Sequence, residues 1–230
     1  MLIKGLQKLT LLDFPEKIAC TVFTFGCNFR CPFCHNASLV LAGRADDTAI
    51  PEEEFFSFLQ KRKGVLEGVC VTGGEPTLQP DLLPFLRRIK ELGYAVKLDT
   101  NGYRPRVLKA AVEAGVVDYV AMDIKNSLAR YGETVGISRF DTSPVEASAA
   151  YLMEGHVPFE FRTTLVKGLH TPGDLAEIGV WLKGDEAFFL QGFVDSGDLI
   201  GTGLGALSSA ETADALAALR PYVPNAQIRG

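Results

Sequence analysis

The sequence predicts an α/β fold, an incomplete (β/α)6 TIM-like barrel of parallel strands, and three observations carry that prediction. Six short apolar runs of strand length alternate with helical segments, which implies parallel strands joined by right-handed crossovers. The residues that follow each run are polar: Cys27, then Gly73, Gly74 and Glu75, then Asp99, Thr100 and Asn101, then Asp123 and Lys125, then Arg162, Thr163 and Thr164, then Gln191. A doubly wound sheet gathers ligand groups at one switch point, whereas six contributing strand ends describe a ring. Finally, 230 residues suit one domain of the size at which α/β barrels occur as single units, burying roughly 70% of the extended chain's surface.

Residues 1–17 form a lead-in that ends in the turn-like Asp13-Phe14-Pro15-Glu16. Six βα units follow over 18–193. Ile18 to Phe25 (IACTVFTF) is β-rich and runs into a cysteine loop. From Ala45 to Pro51 the composition turns polar. Pro51-Glu52-Glu53-Glu54 then opens a helix that Lys61-Arg62-Lys63-Gly64 closes, acid first and base last as the helix dipole favours. Gly68 to Thr72 is the second strand, and its helix, Asp81 to Leu92, stops at Gly93. Ala95 to Asp99 with Arg104 to Ala114 makes the third unit. Val117 to Ile124 is the fourth strand, and an irregular stretch to Thr142 precedes a helix from Pro144 to Glu154. Pro158 to Leu165 with Pro172 to Leu182, and then Ala187 to Gly192, supply the last two strands. Residues 194–230 provide a loop, an amphipathic helix from Ser209 to Leu219 and a tail. No fixed-period repeat, low-complexity tract or linker divides 1–230, which reads as one domain.

A formal net charge of −5 and a pI near 5.3 argue against a broad nucleic-acid-binding face, although a small basic pocket fits. Met1 to Lys8 lacks the charged-then-apolar pattern of a signal peptide, and no apolar run approaches the ~18 residues of a membrane span. A cytoplasmic chain with no membrane partner is expected.

Three of the five cysteines, Cys27, Cys31 and Cys34, fall within eight residues at C-x3-C-x2-C spacing. Thiols crowded this way are better explained by soft-metal binding than by disulfides. Closed structural zinc and iron-sulfur sites use four protein ligands, and three leave a coordination position open for chemistry. A four-iron, four-sulfur cluster on these thiolates keeps one iron free for a small chelator, with Phe29 and Phe33 shielding it from water. Cys20 and Cys70 sit mid-strand, where cysteine acts as a small apolar residue. The rival reading is a Cys3His zinc site using His35, which suffers because His35 directly follows Cys34.

The run C-N-F-R-C-P-F-C-H-N, followed by G-G-E-P at Gly73 to Pro76, resembles the radical S-adenosylmethionine (SAM) superfamily. L-D-T-N-G at Leu98 to Gly102, M-D-I-K at Met122 to Lys125 and R-T-T-L-V at Arg162 to Val166 are similar to its glycyl-radical-enzyme activating enzymes. Gly5 to Cys27 resembles the lead-in of the activating proteins of anaerobic ribonucleoside-triphosphate reductase. The resemblance covers most of the chain in order. It implies a radical SAM core with a [4Fe-4S] cluster on Cys27, Cys31 and Cys34. SAM chelates the open iron through its amino and carboxylate groups and is cleaved by one electron to methionine and a 5'-deoxyadenosyl radical.

Within that resemblance, Gly73 and Gly74 let backbone approach the methionine, and Glu75 and neighbouring carbonyls receive its ammonium, an ordinary strand-to-helix turn being the alternative. Asp99, Thr100 and Asn101 suit ribose hydroxyls, with a turn and helix cap as the alternative. Asp99, Thr100 and Asp123 resemble a monovalent-cation site near the SAM carboxylate. Lys125 and Arg162 suit that carboxylate or a partner's backbone, the alternative being ion pairs with Asp123 or Asp99. Gln191 is a further polar contact, and His35 either donates toward cluster or SAM or simply packs. His156 and His170 receive no role, and Gly201 to Gly205 reads as a flexible loop. The expected function is installation of a glycyl radical on a partner, anaerobic ribonucleotide reductase first and pyruvate formate-lyase or another glycyl-radical enzyme second, with flavodoxin or ferredoxin as electron donor. A small-molecule radical enzyme such as a modified-guanine synthase, and a zinc-stabilised binding module, are the remaining alternatives.

Overall fold

The computed structural model describes residues 1–41 and 49–229, so the polar stretch expected from Ala45 lies largely outside the described residues. One sheet of eight strands runs in sequence order: β1 (Ile3–Thr10), β2 (Ala19–Thr24), β3 (Gly68–Gly73), β4 (Ala95–Thr100), β5 (Tyr119–Asp123), β6 (Phe159–Leu165), β7 (Phe188–Gly192) and β8 (Gln227–Arg229). Strands β2 to β8 are parallel, and β1 is antiparallel to β2. Each strand lies beside its neighbour in the chain, so the order never reverses and there is no switch point. This is the wall of a partial barrel.

The six expected strands are β2 to β7. The helices between them are α2 (Glu52–Lys61), α3 (Leu82–Glu91), α4 (Pro105–Glu113), α6 (Ser143–Met153) and α7 (Pro172–Trp181), with α8 (Ser209–Leu219) before β8 and four-residue turns α1 (Ala37–Val40) and α5 (Tyr131–Thr134). In α3 the buried positions Leu82, Phe85, Leu86 and Ile89 follow one helical stripe, and such stripes cover the outer face of the strands. The inner face carries a different set. Period-2 alternation puts Lys97 and Asp99 of β4 on one face, and Glu160 and Arg162 of β6 likewise.

Two corrections concern the ends of the chain. The lead-in contains β1, whose Gly, Lys and Gln suit an edge strand and disguise the β pattern. The tail contains β8, three residues with an exposed Ile228. The Asp13-Phe14 turn is also more than an entry. Phe14 is 3% exposed, packs on Tyr119 at 6.2 Å between ring centroids, and stands 2.8 Å from where a Cβ on Gly68 would lie. Gly68 and Tyr119 open β3 and β5, so Phe14 plugs the N-terminal end of the barrel. Beside it, Arg229 of β8 makes two 2.9 Å bonds to the buried Glu160, which also accepts from the Tyr119 hydroxyl at 3.2 Å. Among the described residues no helix is long and apolar enough to cross a membrane.

Phe14→Ala is expected to lower stability by about 3–5 kcal/mol, read as a reduced urea midpoint, because it empties a filled plug. Leu12→Ala, at a position 88% exposed, should stay within about 0.5 kcal/mol of the parent in the same measurement.

Candidate active site

At the C-terminal ends of the strands lies a cavity of about 450 Å3. Of the strand-end and loop residues named from the sequence, Cys27, Cys31, Cys34 and His35; Gly73, Gly74 and Glu75; Asp99, Thr100 and Asn101; Asp123 and Lys125; Arg162; and Gln191 line it, whereas Thr163 turns away and donates to the Ile124 carbonyl at 2.7 Å. Asp13, Thr72 and Thr164 join them, as do Phe29 and Phe33 of the cysteine loop.

The cysteine loop has no regular structure and is fixed from several sides. Phe29, 2% exposed, meets Phe140, Tyr103 and Tyr131 edge-on at 5.4, 5.7 and 6.5 Å. Arg30 folds back, its Nη1 donating to the carbonyls of Cys27 at 2.6 Å and Phe29 at 2.7 Å. The segment after β7 grips the other side: Gly201 N donates to the Pro32 carbonyl at 2.7 Å, and the Asp198 carboxylate accepts from the Ser38 amide and hydroxyl. The loop at Gly201 to Gly205, read as flexible, is thus docked at its first residue.

Burial pushes the Cys27 thiol up to about 11 and Cys31 to about 12, and raises Cys34 as well. Three such thiols ionise at neutral pH only if a bound cation compensates them. Among the described residues no three His, Cys, Asp or Glu side chains converge closely enough to hold a single metal ion. Three soft thiol donors on one short loop, lining one cavity, are the donor set a four-iron cluster takes, one thiolate to each of three irons.

Glu75 and the two glycines are tied into the chain at the edge of the cavity. Glu75 Oε1 accepts from the amide (3.0 Å) and hydroxyl of Thr77 and from the Thr100 hydroxyl at 2.8 Å, and Oε2 accepts from the Asn101 amide at 2.7 Å. Burial pushes its pKa up even against these four bonds. Three of them crowd Oε1, while Oε2 takes one and keeps an acceptor site for the ammonium expected there. Gly73, at φ +127, and Gly74 lie against the chain itself. A Cβ on Gly73 would fall 2.2 Å from Thr24 N, and one on Gly74 2.1 Å from Gly26 O. Their amide neighbours complete the contact, Gly74 N donating to Thr24 O at 2.9 Å and Glu75 N to Gly26 O at 2.7 Å. Asn101 belongs to the same brace: its Nδ2 donates to Asn28 Oδ1 at 2.9 Å and lies 3.8 Å from Cys27 Sγ, so it faces the cysteine loop rather than standing free for a ribose.

The charged residues form one alternating chain. Lys97 pairs with Asp99, Asp99 with Arg162, Arg162 with Asp123 and Asp123 with Lys125, at 2.5 to 3.2 Å. Three cations and two anions leave one surplus positive charge. Against burial, Arg162 and then Lys125 hold Asp123 down at about 2, and Arg162 and Lys97 hold Asp99 below its usual range. The ion-pair alternative for Lys125 and Arg162 is the arrangement found. His35 packs on Phe193 at 5.7 Å between ring centroids, and burial lowers its pKa. Among the described residues the side chains of Thr72, Thr164 and Gln191 line the cavity without a hydrogen bond to the chain.

Sequence reasoning missed Lys97 and His170. Lys97 is 1% exposed in mid-strand, one pleat below Asp99, and the alternation of β4 was the available signal. His170 accepts from Val166 N at 3.1 Å through Nδ1, so Nε2 carries the proton and donates to the Lys125 carbonyl at 2.8 Å. It ties the ends of β5 and β6 together.

The profile of the Radical SAM superfamily matches residues 21–173. A protein of Methanocaldococcus jannaschii, named as a candidate glycyl-radical enzyme activating enzyme, is 32% identical over 197 residues, which span 84% of this chain and 80% of that one. The 7-carboxy-7-deazaguanine synthase of Koribacter versatilis is 32% identical over 138 residues, 59% of this chain and 56% of its own length. Among solved structures, Streptococcus suis SuiB bound to S-adenosylmethionine aligns over 90% of this chain with a TM-score of 0.69 at 18% identity, a likeness of fold. The chain spans about half of SuiB, 49%.

Gly74→Ala should cost about 1–3 kcal/mol by overpacking and loosen the cysteine loop, seen as a lower urea midpoint and faster native-state alkylation of Cys27. A second expectation concerns acid. Because Asp123 is depressed to about 2, its stabilisation is complete above its ordinary pKa and is lost as pH falls through about 2. Arg162→Gln removes the strongest opponent of burial, so the midpoint of acid unfolding should move to higher pH.

Proposed function

The chain belongs to the radical SAM superfamily, and from that premise we propose that it is a glycyl-radical-enzyme activating enzyme. The observation that carries the reading is the placement of Cys27, Cys31 and Cys34 on the rim of a cavity to which six strand ends contribute polar groups. The three thiols would hold a [4Fe-4S] cluster and leave one iron for the amino and carboxylate groups of SAM. Held there, the cluster would supply the one-electron reduction that cleaves a carbon-sulfur bond of SAM.

The chain's own residues orient and shield. Phe29 and Phe33, 2% and 3% exposed, keep water from the thiols. The surplus positive charge of the chain from Lys97 to Lys125 matches a carboxylate. Thr72, Thr164 and Gln191, with the side chains of His35 and Asn36, are polar groups lining the cavity that would meet the rest of SAM. The hydrogen that the radical removes comes from a glycine Cα of the partner, which no side chain obstructs, yielding 5'-deoxyadenosine and the glycyl radical.

The name of the M. jannaschii relative supports the activating class. Anaerobic ribonucleoside-triphosphate reductase is the partner we propose, on the likeness of Gly5 to Cys27; pyruvate formate-lyase or another glycyl-radical enzyme is the alternative. A flavodoxin or ferredoxin would supply the electron. The deazaguanine synthase relative favours a second reading, in which the same core acts on a modified-guanine precursor.

Anaerobically purified protein should be brown, carry about four irons and cleave SAM on reduction. Cys27→Ala, Cys31→Ala and Cys34→Ala should each abolish cleavage while Cys20→Ala keeps it, and full cleavage in any of the first three would sink the three-thiol assignment. With SAM and reductant present, a glycyl radical should form on anaerobic ribonucleotide reductase, read by electron paramagnetic resonance. A radical on another glycyl-radical enzyme alone would reassign the partner, and turnover of a guanine precursor with no protein radical would favour the second reading.

A further inference from the structure

The monovalent-cation site implied for Asp99, Thr100 and Asp123 does not fit the side chains in place. An alkali ion binds through oxygen ligands, and each carboxylate oxygen of this pair already faces a cation of the chain. Asp99 Oδ1 accepts from Lys97 Nζ at 2.5 Å and Oδ2 from Arg162 Nη1 at 3.2 Å. Asp123 Oδ1 accepts from Arg162 Nε at 3.0 Å, with Nη2 at 2.9 Å, and Oδ2 from Lys125 Nζ at 3.0 Å. Thr100 Oγ1 is spent as well, donating to Glu75 at 2.8 Å and accepting from the Gly102 amide at 3.1 Å. A metal ion among these oxygens would meet fixed positive charge on each side.

Lys97 explains how the arrangement is maintained. It is 1% exposed, lies opposite Cys70 in the β3–β4 register, and has Asp99 as its ion-pair partner. A buried ammonium is tolerated only when paired, and the pair in turn leaves Asp99 Oδ2 for the guanidinium that reaches across from β6. The result is a strap across β4, β6 and β5 in which every carboxylate oxygen meets a cation of the chain and one positive charge is left over.

We infer that this chain carries its cation within itself: the Lys97 ammonium and the Arg162 guanidinium take the carboxylate oxygens that a monovalent metal ion would require, and the SAM pocket works without one. Lys97 is a positioning residue, acting on the pocket through Asp99 and Arg162. The inference rests on the reading of the cavity as a SAM site.

The test uses the intact, cluster-loaded protein and SAM itself, with affinity measured by equilibrium dialysis at one ionic strength in potassium, sodium or choline chloride. The expected result is a Kd that agrees within about threefold across the three salts, while Lys97→Met binds SAM at least about tenfold more weakly in choline. Lys97→Arg, which keeps the charge, should restore part of that loss. A Kd for the intact protein that weakens more than about threefold in choline overturns the inference, as does a Lys97→Met variant that binds within about threefold of the parent. Should Lys97→Met fail to fold, the salt series on the intact protein decides alone. No SAM binding in any salt would overturn the cofactor reading, whereas binding that tracks the salt overturns only the internal cation.

Discussion

A carboxylate taken out of water must recover its lost hydration from the chain, and Glu75 does so at the point where three segments meet. Its oxygens accept from Thr77 on its own turn and from Thr100 and Asn101 at the end of β4. The Glu75 amide donates to Gly26, the residue before the first thiol. The side chain therefore holds β4 in register with β3 while the main chain holds the cysteine loop down on both. Gly73 and Gly74 permit this because nothing larger fits between the end of β3 and the backbone of Thr24 and Gly26. Removing any one member leaves a buried donor or acceptor unmatched, so the mouth of the barrel behaves as one unit.

The electrostatics of the cavity follow from the same economy. Strands β4, β5 and β6 turn charged residues inward, and each charge is acceptable there because an opposite one two residues along the chain or on a facing strand meets it. The chain begins and ends on lysine, so it closes with one positive charge in excess. That excess lies on the rim that also holds three thiols, the groups that become anionic when metal is bound. At the other end of the barrel, Glu160 is matched by Arg229 and Tyr119, and Phe14 fills what remains. One end is sealed and neutralised, and chemistry is confined to the other.

Much of this was legible from residues alone, for identifiable reasons. The six inner strands are largely apolar along their length, Lys97 and Glu160 apart, and turn polar at their ends, a pattern that survives without knowledge of neighbours. Edge strands lack it: β1 carries Lys4, Gly5, Gln7 and Lys8, and β8 is three residues long. The cavity residues were found as a set because strand ends in a sequentially ordered parallel sheet converge by topology. Their individual tasks were not, since a motif does not say which way a side chain's bonds are spent. Glu75, Asn101, Gly73 and Gly74 look like ligand groups in sequence and also serve the scaffold in space. His170 and Lys97 show the reverse, being silent in sequence because their partners are a carbonyl 45 residues away and an aspartate on the same strand face.

Sorting committed from uncommitted groups also bears on the kind of substrate. A cavity of about 450 Å3 is at the lower end of the range that accepts one drug-sized ligand. With Asp99 and Asp123 paired internally, it offers Thr72, Thr164, Gln191, His35, Asn36 and Asp13 beside the net positive strap, a set with partners for the charged and polar ends of a zwitterionic nucleoside. A second small molecule would need polar partners of its own, and the described residues provide few beyond these. A protein substrate makes a smaller demand, because a glycine-bearing loop reaching into the mouth brings its binding surface with it and asks the cavity only for space at one Cα hydrogen. The distribution of satisfied hydrogen bonds thus separates the groups that hold the mouth of the barrel together from those left open to a ligand.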